Sequence, residues 1–173
     1  MLSAVVAFAL AGSIVGCTPQ STPSPAPSSS SSTFSSDAEA FAAAEATYRA
    51  YVDALNKVDL KNPETFEAVY LLTTGDANEM ARAEFSSLQS QGLTVGGLTR
   101  VVSVEESTVS ASGDVQLYVC ADVSQVTLTD SDGRSRVSPD RPPVQPLTVR
   151  VLTARQAPLI ASISGREGSP FCN

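Results

Sequence analysis

Hydrophobic and polar residues follow two different periods along the chain, and the change falls near Gly92. Before Gly92, apolar residues recur every three or four positions, which is the spacing of one face of an α-helix. After it they recur at every second position, which is the spacing of a half-buried β-strand. The pattern predicts an α+β fold in which helices pack on one face of a curved antiparallel sheet.

Three helices are predicted in the first half of the chain, at residues 36–58, 62–75 and 76–92. Ser36 and Glu39 have the spacing of a capping box, with serine as N-cap and glutamate three residues later. Asn62 followed by Pro63 indicates a second helix start, because proline fits the first turn of a helix. Gly92 suits the end of the third helix, where a left-handed residue is often required.

About four strands are predicted after the helices, at residues 98–104, 115–123, 147–151 and 159–163. In the second of these strands the apolar residues occupy the odd positions, which places Cys120 on the opposite face. Beyond that strand the apolar positions become even-numbered, at Val126 and Leu128. We therefore predict a β-bulge at Ser124 or Gln125.

The N-terminal residues 2–15 form an almost unbroken apolar run that is too short for a stable membrane span, since about 20 residues are needed. Its length is typical of the apolar region of a signal peptide. The following Ile14-Val15-Gly16-Cys17 resembles the lipobox of bacterial lipoproteins, in which the cysteine is acylated and becomes the new N-terminus. The resemblance implies a lipid on Cys17 that anchors the chain at the extracytoplasmic face of the cell membrane. An ordinary signal peptide with an incidental cysteine is the alternative.

The segment from Cys17 to Ser36 contains mainly serine, threonine and proline, and every charged residue lies at Asp37 or later. Such a composition offers little to bury and predicts a disordered tether. The chain therefore divides into a leader (1–16), a lipidated tether (17–36) and one folded domain (37–173).

The charge and the cysteines narrow the function class. With 18 acidic and 11 basic side chains the net charge is −7, which is unsuited to binding nucleic acid. Once Cys17 is assigned to the lipid, Cys120 and Cys172 remain as a pair in an oxidising compartment, and we predict a disulfide between them. Two independent free thiols are the alternative.

The absence of histidine from the sequence excludes histidine general bases, Ser-His-Asp triads and histidine-ligated metal sites. Asp130–Gly133 begins like a calcium loop but lacks the later acidic ligands, so a turn between strands is the better interpretation. We expect neither a cofactor nor a metal.

Four segments, at residues 46–78, 120–133, 138–151 and 163–172, resemble small families of actinobacterial lipoproteins. The folded part of those proteins is similar to the NTF2-like (cystatin-like) α+β superfamily, in which helices and a curved sheet form a cone. The resemblance covers most of residues 37–173. The superfamily contains both ketosteroid-isomerase-like enzymes and non-catalytic binding domains, so the fold alone implies no activity.

NTF2-like enzymes place a carboxylate and hydroxyl groups inside the cone, and the resemblance implies Tyr48, Tyr51, Glu45 and Asp53 as candidates for these groups. Both tyrosines lie on the apolar face of the first helix, so core packing explains them as well. Glu45 lies at the edge of that face and Asp53 lies away from it, and solvent exposure explains both.

A loop at residues 134–146 contains four prolines and the charged residues Arg134, Arg136, Asp140 and Arg141. Such a stiff, charged loop could bind a partner protein. Alternatively it protects a sheet edge, because proline and charge both prevent unwanted strand pairing.

These patterns favour a non-enzymatic, lipid-anchored domain that binds either an envelope protein or a small apolar molecule. A small-molecule isomerase or dehydratase, or a carrier that uses the cone cavity, is the first alternative. A phage-borne lipoprotein that excludes superinfecting phage is the second.

Overall fold

The structure, a computed structural model, describes residues 34–168 and Cys172. Within them it has three α-helices, one 3-10 helix and two antiparallel sheets, one of four strands and one of two, so the α+β class is confirmed. The elements are α1 (Asp37–Leu55), the 3-10 helix (Pro63–Phe66), α2 (Glu67–Tyr70), α3 (Gly75–Ser90), β1 (Thr94–Gly96), β2 (Arg100–Val109), β3 (Asp114–Asp122), β4 (Thr127–Thr129), β5 (Val144–Leu152) and β6 (Leu159–Gly165).

The predicted leader, the predicted lipidation site Cys17 and the tether up to residue 33 lie outside the described residues. In the part of the chain that the structure describes, none of the helices combines the length and the apolar character needed to cross a bilayer.

Helix α1 begins as its capping residues predict. The Ser36 hydroxyl accepts a hydrogen bond from the Glu39 amide at 3.3 Å. The Glu39 carboxylate reaches back to Ser35, whose amide and hydroxyl donate to it at 2.9 and 2.7 Å, and these bonds lower the pKa of Glu39. Two residues before the N-cap Ser36, Phe34 packs against the core and shares a small hollow with Val109 and Gly113.

Helix α1 ends at Leu55, three residues earlier than predicted. The side chain of the next residue, Asn56, exchanges two hydrogen bonds with the backbone of Thr99. Its amide nitrogen donates to the Thr99 carbonyl at 2.9 Å, and its oxygen accepts from the Thr99 amide at 2.8 Å. These bonds fix the end of α1 to the residue that precedes β2.

The second predicted helix is split and shorter than expected. Asn62 caps its 3-10 turn as predicted, because its side-chain oxygen accepts from the Glu64 amide at 3.3 Å. Helix α2 then ends at Tyr70, because the next residues turn to pair with β6. The Ile160 amide donates a hydrogen bond to the Leu72 carbonyl at 2.9 Å, and the Thr74 amide donates to the Ile160 carbonyl at 2.8 Å.

The four-stranded sheet has the order β2-β3-β5-β6, and every neighbouring pair is antiparallel. Val115, Leu117 and Val119, at odd-numbered positions of β3, are completely buried and form one core cluster with Phe41 and Tyr48 of α1. The strict alternation of β3 therefore has its cause in a sheet with one face covered by helices.

Strands β1 and β4 form a second, two-stranded sheet that the sequence did not predict. The predicted bulge after β3 is wrong. The chain turns there instead, with the Val126 amide donating to the Val123 carbonyl at 3.0 Å, and β4 then joins the other sheet. The change in apolar phase marks the end of one strand and the start of another.

Cys120 and Cys172 form the predicted disulfide, with their Cα atoms 5.6 Å apart. Cys120 points away from α1, so the bond lies on the sheet face opposite the helices. The chain reaches that face after β6, where the Arg166 guanidinium stacks over the Tyr118 ring at 4.8 Å from its centroid.

Candidate ligand-binding cavity

A cavity of about 350 Å³ lies where the C-terminal half of α1, helix α3 and the small sheet formed by β1 and β4 meet. Most of its lining is aliphatic or aromatic. Each surrounding element contributes side chains to it, among them Leu55 of α1, Phe85 and Leu88 of α3, Val95 of β1 and Ile163 of β6.

Small side chains on α3 keep this space open. Ala77 and Ala81 are buried, lie one helical turn apart and both line the cavity. Larger apolar residues at these positions would project into the volume, since residues four apart share a helix face. Met80 lies beside them, lines the cavity as well and is 62% exposed, which makes it a flexible apolar group near the opening.

One wall of the cavity is made of backbone at Gly96 and Gly97. Gly97 has a φ of +75°, and a Cβ atom there would lie 1.8 Å from the Gln125 carbonyl oxygen. A Cβ on Gly96 would lie 2.9 Å from the Thr127 hydroxyl. Only glycine permits this close approach between the end of β1 and the chain before β4.

Tyr51 is the sequence candidate that the structure places at the cavity. Burial raises the pKa of Tyr51 to about 12, and the Glu84 carboxylate contributes as a second, smaller cause. The hydroxyl is therefore protonated at neutral pH and can donate a hydrogen bond. Asn56 also lines the cavity, but its amide is already bonded to the Thr99 backbone.

Glu84 was not identified from the sequence, although it lines the cavity on α3. The sequence could have identified Glu84 from its position on the helix. It lies four residues after Met80 and three after Ala81, on the face that the apolar pattern assigned to the core. Among the described residues that line the cavity, Glu84 is the one with a charged side chain.

The other sequence candidates on α1 do not meet at the cavity. Tyr48 is 2% exposed and belongs to the core between α1 and the sheet, where burial raises its pKa. Its ring lies 6.0 Å from that of Tyr51. Glu45 forms an ion pair with Arg49 at 2.8 Å on the surface, and Asp53 is exposed.

The four charged residues of the proline-rich loop (134–146), which the sequence suggested as contacts for a partner protein, lie in different environments. The Arg141 guanidinium donates to the carbonyls of Val123 and Val126 at 2.8 and 2.9 Å, so it holds the loop against the turn after β3. Arg134 forms an ion pair with Asp132. Arg136 and Asp140 are exposed.

The start of this loop covers one edge of β4. Ser135 forms a bridge with Thr129, and the Arg136 amide donates to the Leu128 carbonyl at 2.7 Å. This arrangement matches the interpretation of the loop as protection for a sheet edge.

The described residues contain no group of three acidic or cysteine side chains placed to hold a metal ion. The tyrosine hydroxyl and the carboxylate at the cavity can form hydrogen bonds to a bound molecule, and the aliphatic walls can bury an apolar one.

No protein-family model matches the chain, and no curated protein matches it. Among solved structures, the intermembrane space region of the chloroplast protein ARC6 is similar, with 15% sequence identity and a TM-score of 0.50 over 72% of this chain and 95% of that one. A de novo designed β-sheet protein matches with 18% identity over 78% of this chain and 92% of its own, but its TM-score of 0.26 carries no argument. The likeness to the ARC6 region is one of fold.

Proposed function

We propose that this chain is a lipid-anchored extracytoplasmic binding protein whose domain takes up a small apolar molecule. The cavity carries the proposal. Its volume of about 350 Å³ falls in the range of small-molecule sites, roughly 300 to 1,000 Å³, and its lining is mostly apolar with few polar groups. The helices over one face of the sheet and the second sheet beside them support the NTF2-like cone as the parent fold.

The anchor and the location rest on the sequence and on the disulfide. Ile14-Val15-Gly16-Cys17 provides a lipobox, and the tether after it can hold the domain away from the membrane surface. The Cys120–Cys172 bond supports an exported chain, because disulfides persist in oxidising compartments and are rare in the cytosol.

Binding is favoured over isomerase or dehydratase chemistry by the positions of the carboxylates. A general base of that kind is usually a carboxylate shielded from water beside the substrate. Glu45 and Asp53 lie outside the cavity, and Glu84 is exposed. The Tyr51 hydroxyl, with a pKa of about 12, is a weak acid and can orient a ligand by hydrogen bonding.

A cavity-filling variant tests the proposal. Ala81→Phe places a ring into the space, whereas Ala83→Phe adds the same ring on the exposed side of the same helix. The neutral fluorescent probe N-phenyl-1-naphthylamine should bind the purified full chain and the Ala83→Phe control with the same affinity. It should bind Ala81→Phe at least about tenfold more weakly, because filling the cavity removes the apolar contacts. The apolar leader is present in all three proteins, so its own binding of the probe cancels.

Equal probe binding by all three proteins would contradict the proposal. Circular dichroism and thermal unfolding check that Ala81→Phe is folded. If it is not, Leu88→Trp provides a second cavity-filling change at a half-buried position. A domain that binds only an envelope protein would add no probe binding to that of the leader, so all three proteins would bind the probe equally.

A further inference from the structure

We propose that the cavity selects ligands that combine an apolar body with a positively charged group, such as lipophilic amines, and that Glu84 is the residue that selects them. This inference rests on the proposed function and names the class of ligand. The apolar body would occupy the space between α1 and α3, and the ammonium group would lie at the opening beside Glu84.

The charge at the cavity opening supports this selectivity. Glu84 is the charged residue among the described residues that line the cavity. It is exposed, so it lies at the opening, where a carboxylate keeps its hydration while no ligand is bound. A ligand amine that reaches this carboxylate gains an ion pair that a neutral or anionic ligand cannot form.

Glu84 has no ion-pair partner within the described part of the chain. The nearby basic residue on the same helix, Arg82, is engaged elsewhere. Its guanidinium stacks over the Tyr70 ring at 3.9 Å from the centroid, and its Nε donates to the Asn78 side chain at 2.8 Å. The carboxylate of Glu84 is therefore available to a ligand.

Two further observations place favourable groups for a cation at the same site. The Glu84 carboxylate contributes to the raised pKa of Tyr51, so it acts on the same space as the tyrosine hydroxyl. Tyr51 and Phe85 both line the cavity, and aromatic rings attract cations through their faces. The net charge of −7 adds long-range attraction for cations.

Three naphthalene ligands of nearly equal size separate charge from shape: 1-naphthylmethylammonium (cation), 1-naphthylmethanol (neutral) and 1-naphthoate (anion). Calorimetric titration of the full chain should show the cation binding about three- to fivefold more tightly than the alcohol, the scale of an exposed ion pair. The anion should bind most weakly. The preference should shrink as salt is added, because salt screens exposed charges.

Glu84→Gln should reduce the preference for the cation over the alcohol, measured on the same variant, to less than about twofold. Glu79→Gln is the matched control, because Glu79 is exposed on the same helix, does not line the cavity and gives the same change in net charge. The control should keep the full preference. Equal losses in both variants would assign the effect to net charge and overturn the role of Glu84.

The two proposals fail in different ways. If the alcohol binds and is lost in Ala81→Phe, but the cation binds no better than the alcohol, the charge selection is wrong while the cavity remains a binding site. If none of the three ligands binds, the proposed function and this inference both fall.

Discussion

Loss of the disulfide should destabilise the domain more than any loss of a single surface contact. The change to make is Cys172→Ala, which breaks the bond at its tail end. It leaves Cys120, which is 5% exposed, in place as a small apolar residue in β3. The sheet and the helical core are not altered by this substitution.

The size of the effect follows from the loop that the bond closes. The two cysteines are 52 residues apart. In the chain-entropy model, a crosslink of that span raises the free energy of unfolding by about 4 kcal/mol at 25 °C. Total stabilities of domains lie at roughly 5 to 15 kcal/mol, so the bond would supply a large share. The midpoint of thermal unfolding should fall by about 10 to 20 °C.

Urea unfolding followed by circular dichroism measures this difference. Wild type without reductant should be about 4 kcal/mol more stable than Cys172→Ala, and wild type with reductant should match the variant. Reductant should have no effect on the variant, which controls for other actions of the reagent. A difference below about 1 kcal/mol would refute the reasoning. It would show that contacts such as Arg166 over Tyr118 hold the end of the chain without the crosslink.

Two more predictions concern the anchor and the tyrosines. Cys17→Ala should abolish incorporation of labelled palmitate and release the chain from membranes, whereas undiminished labelling would place the lipid elsewhere. Burial raises the pKa of Tyr51 to about 12 and raises that of Tyr48 as well, so above pH 10 the unfolded chain releases protons that the folded chain keeps. The free energy of unfolding should therefore fall between pH 10 and 12 by up to about 1.4 kcal/mol per pH unit for each tyrosine. Urea titrations at pH 9 and 11 should show a smaller fall for Tyr51→Phe, and an equal fall would contradict the assignment.

Local signals predicted the long elements well. The N-cap at Ser36 and the apolar face of α1 depend on residues within a few positions of each other, and the structure has both. The end of α1 was predicted less well, because it depends on Thr99, a residue 43 positions from Asn56. The strict alternation of β3 was sufficient to place Cys120 on the outer face. Its pairing with Cys172 was predicted from the cysteine count once Cys17 was assigned to the lipid, and the structure has this bond.

The small sheet and the cavity could not be derived in the same way. Strands β1 and β4 have three residues each, which is too short for a period to be visible, and they form because Gly97 lets the chain approach Gln125. A bulge and a turn produce the same shift in apolar phase, so only the pairing of β4 distinguishes them. Glu84 becomes part of a site because α3 packs beside α1, which no single helix pattern specifies.

The position of Phe34 has a practical consequence for how the domain can be handled. Phe34 lies beside the first turn of α1, whereas the cavity lies beside the last turns of the same helix. Helix α1 has 19 residues and is about 28 Å long, so the two places lie near its opposite ends. An affinity tag, a sensor chip or a vesicle attached to the chain at Phe34 would thus hold the domain by the end of α1 remote from the cavity, which suits surface-based titrations of ligand binding.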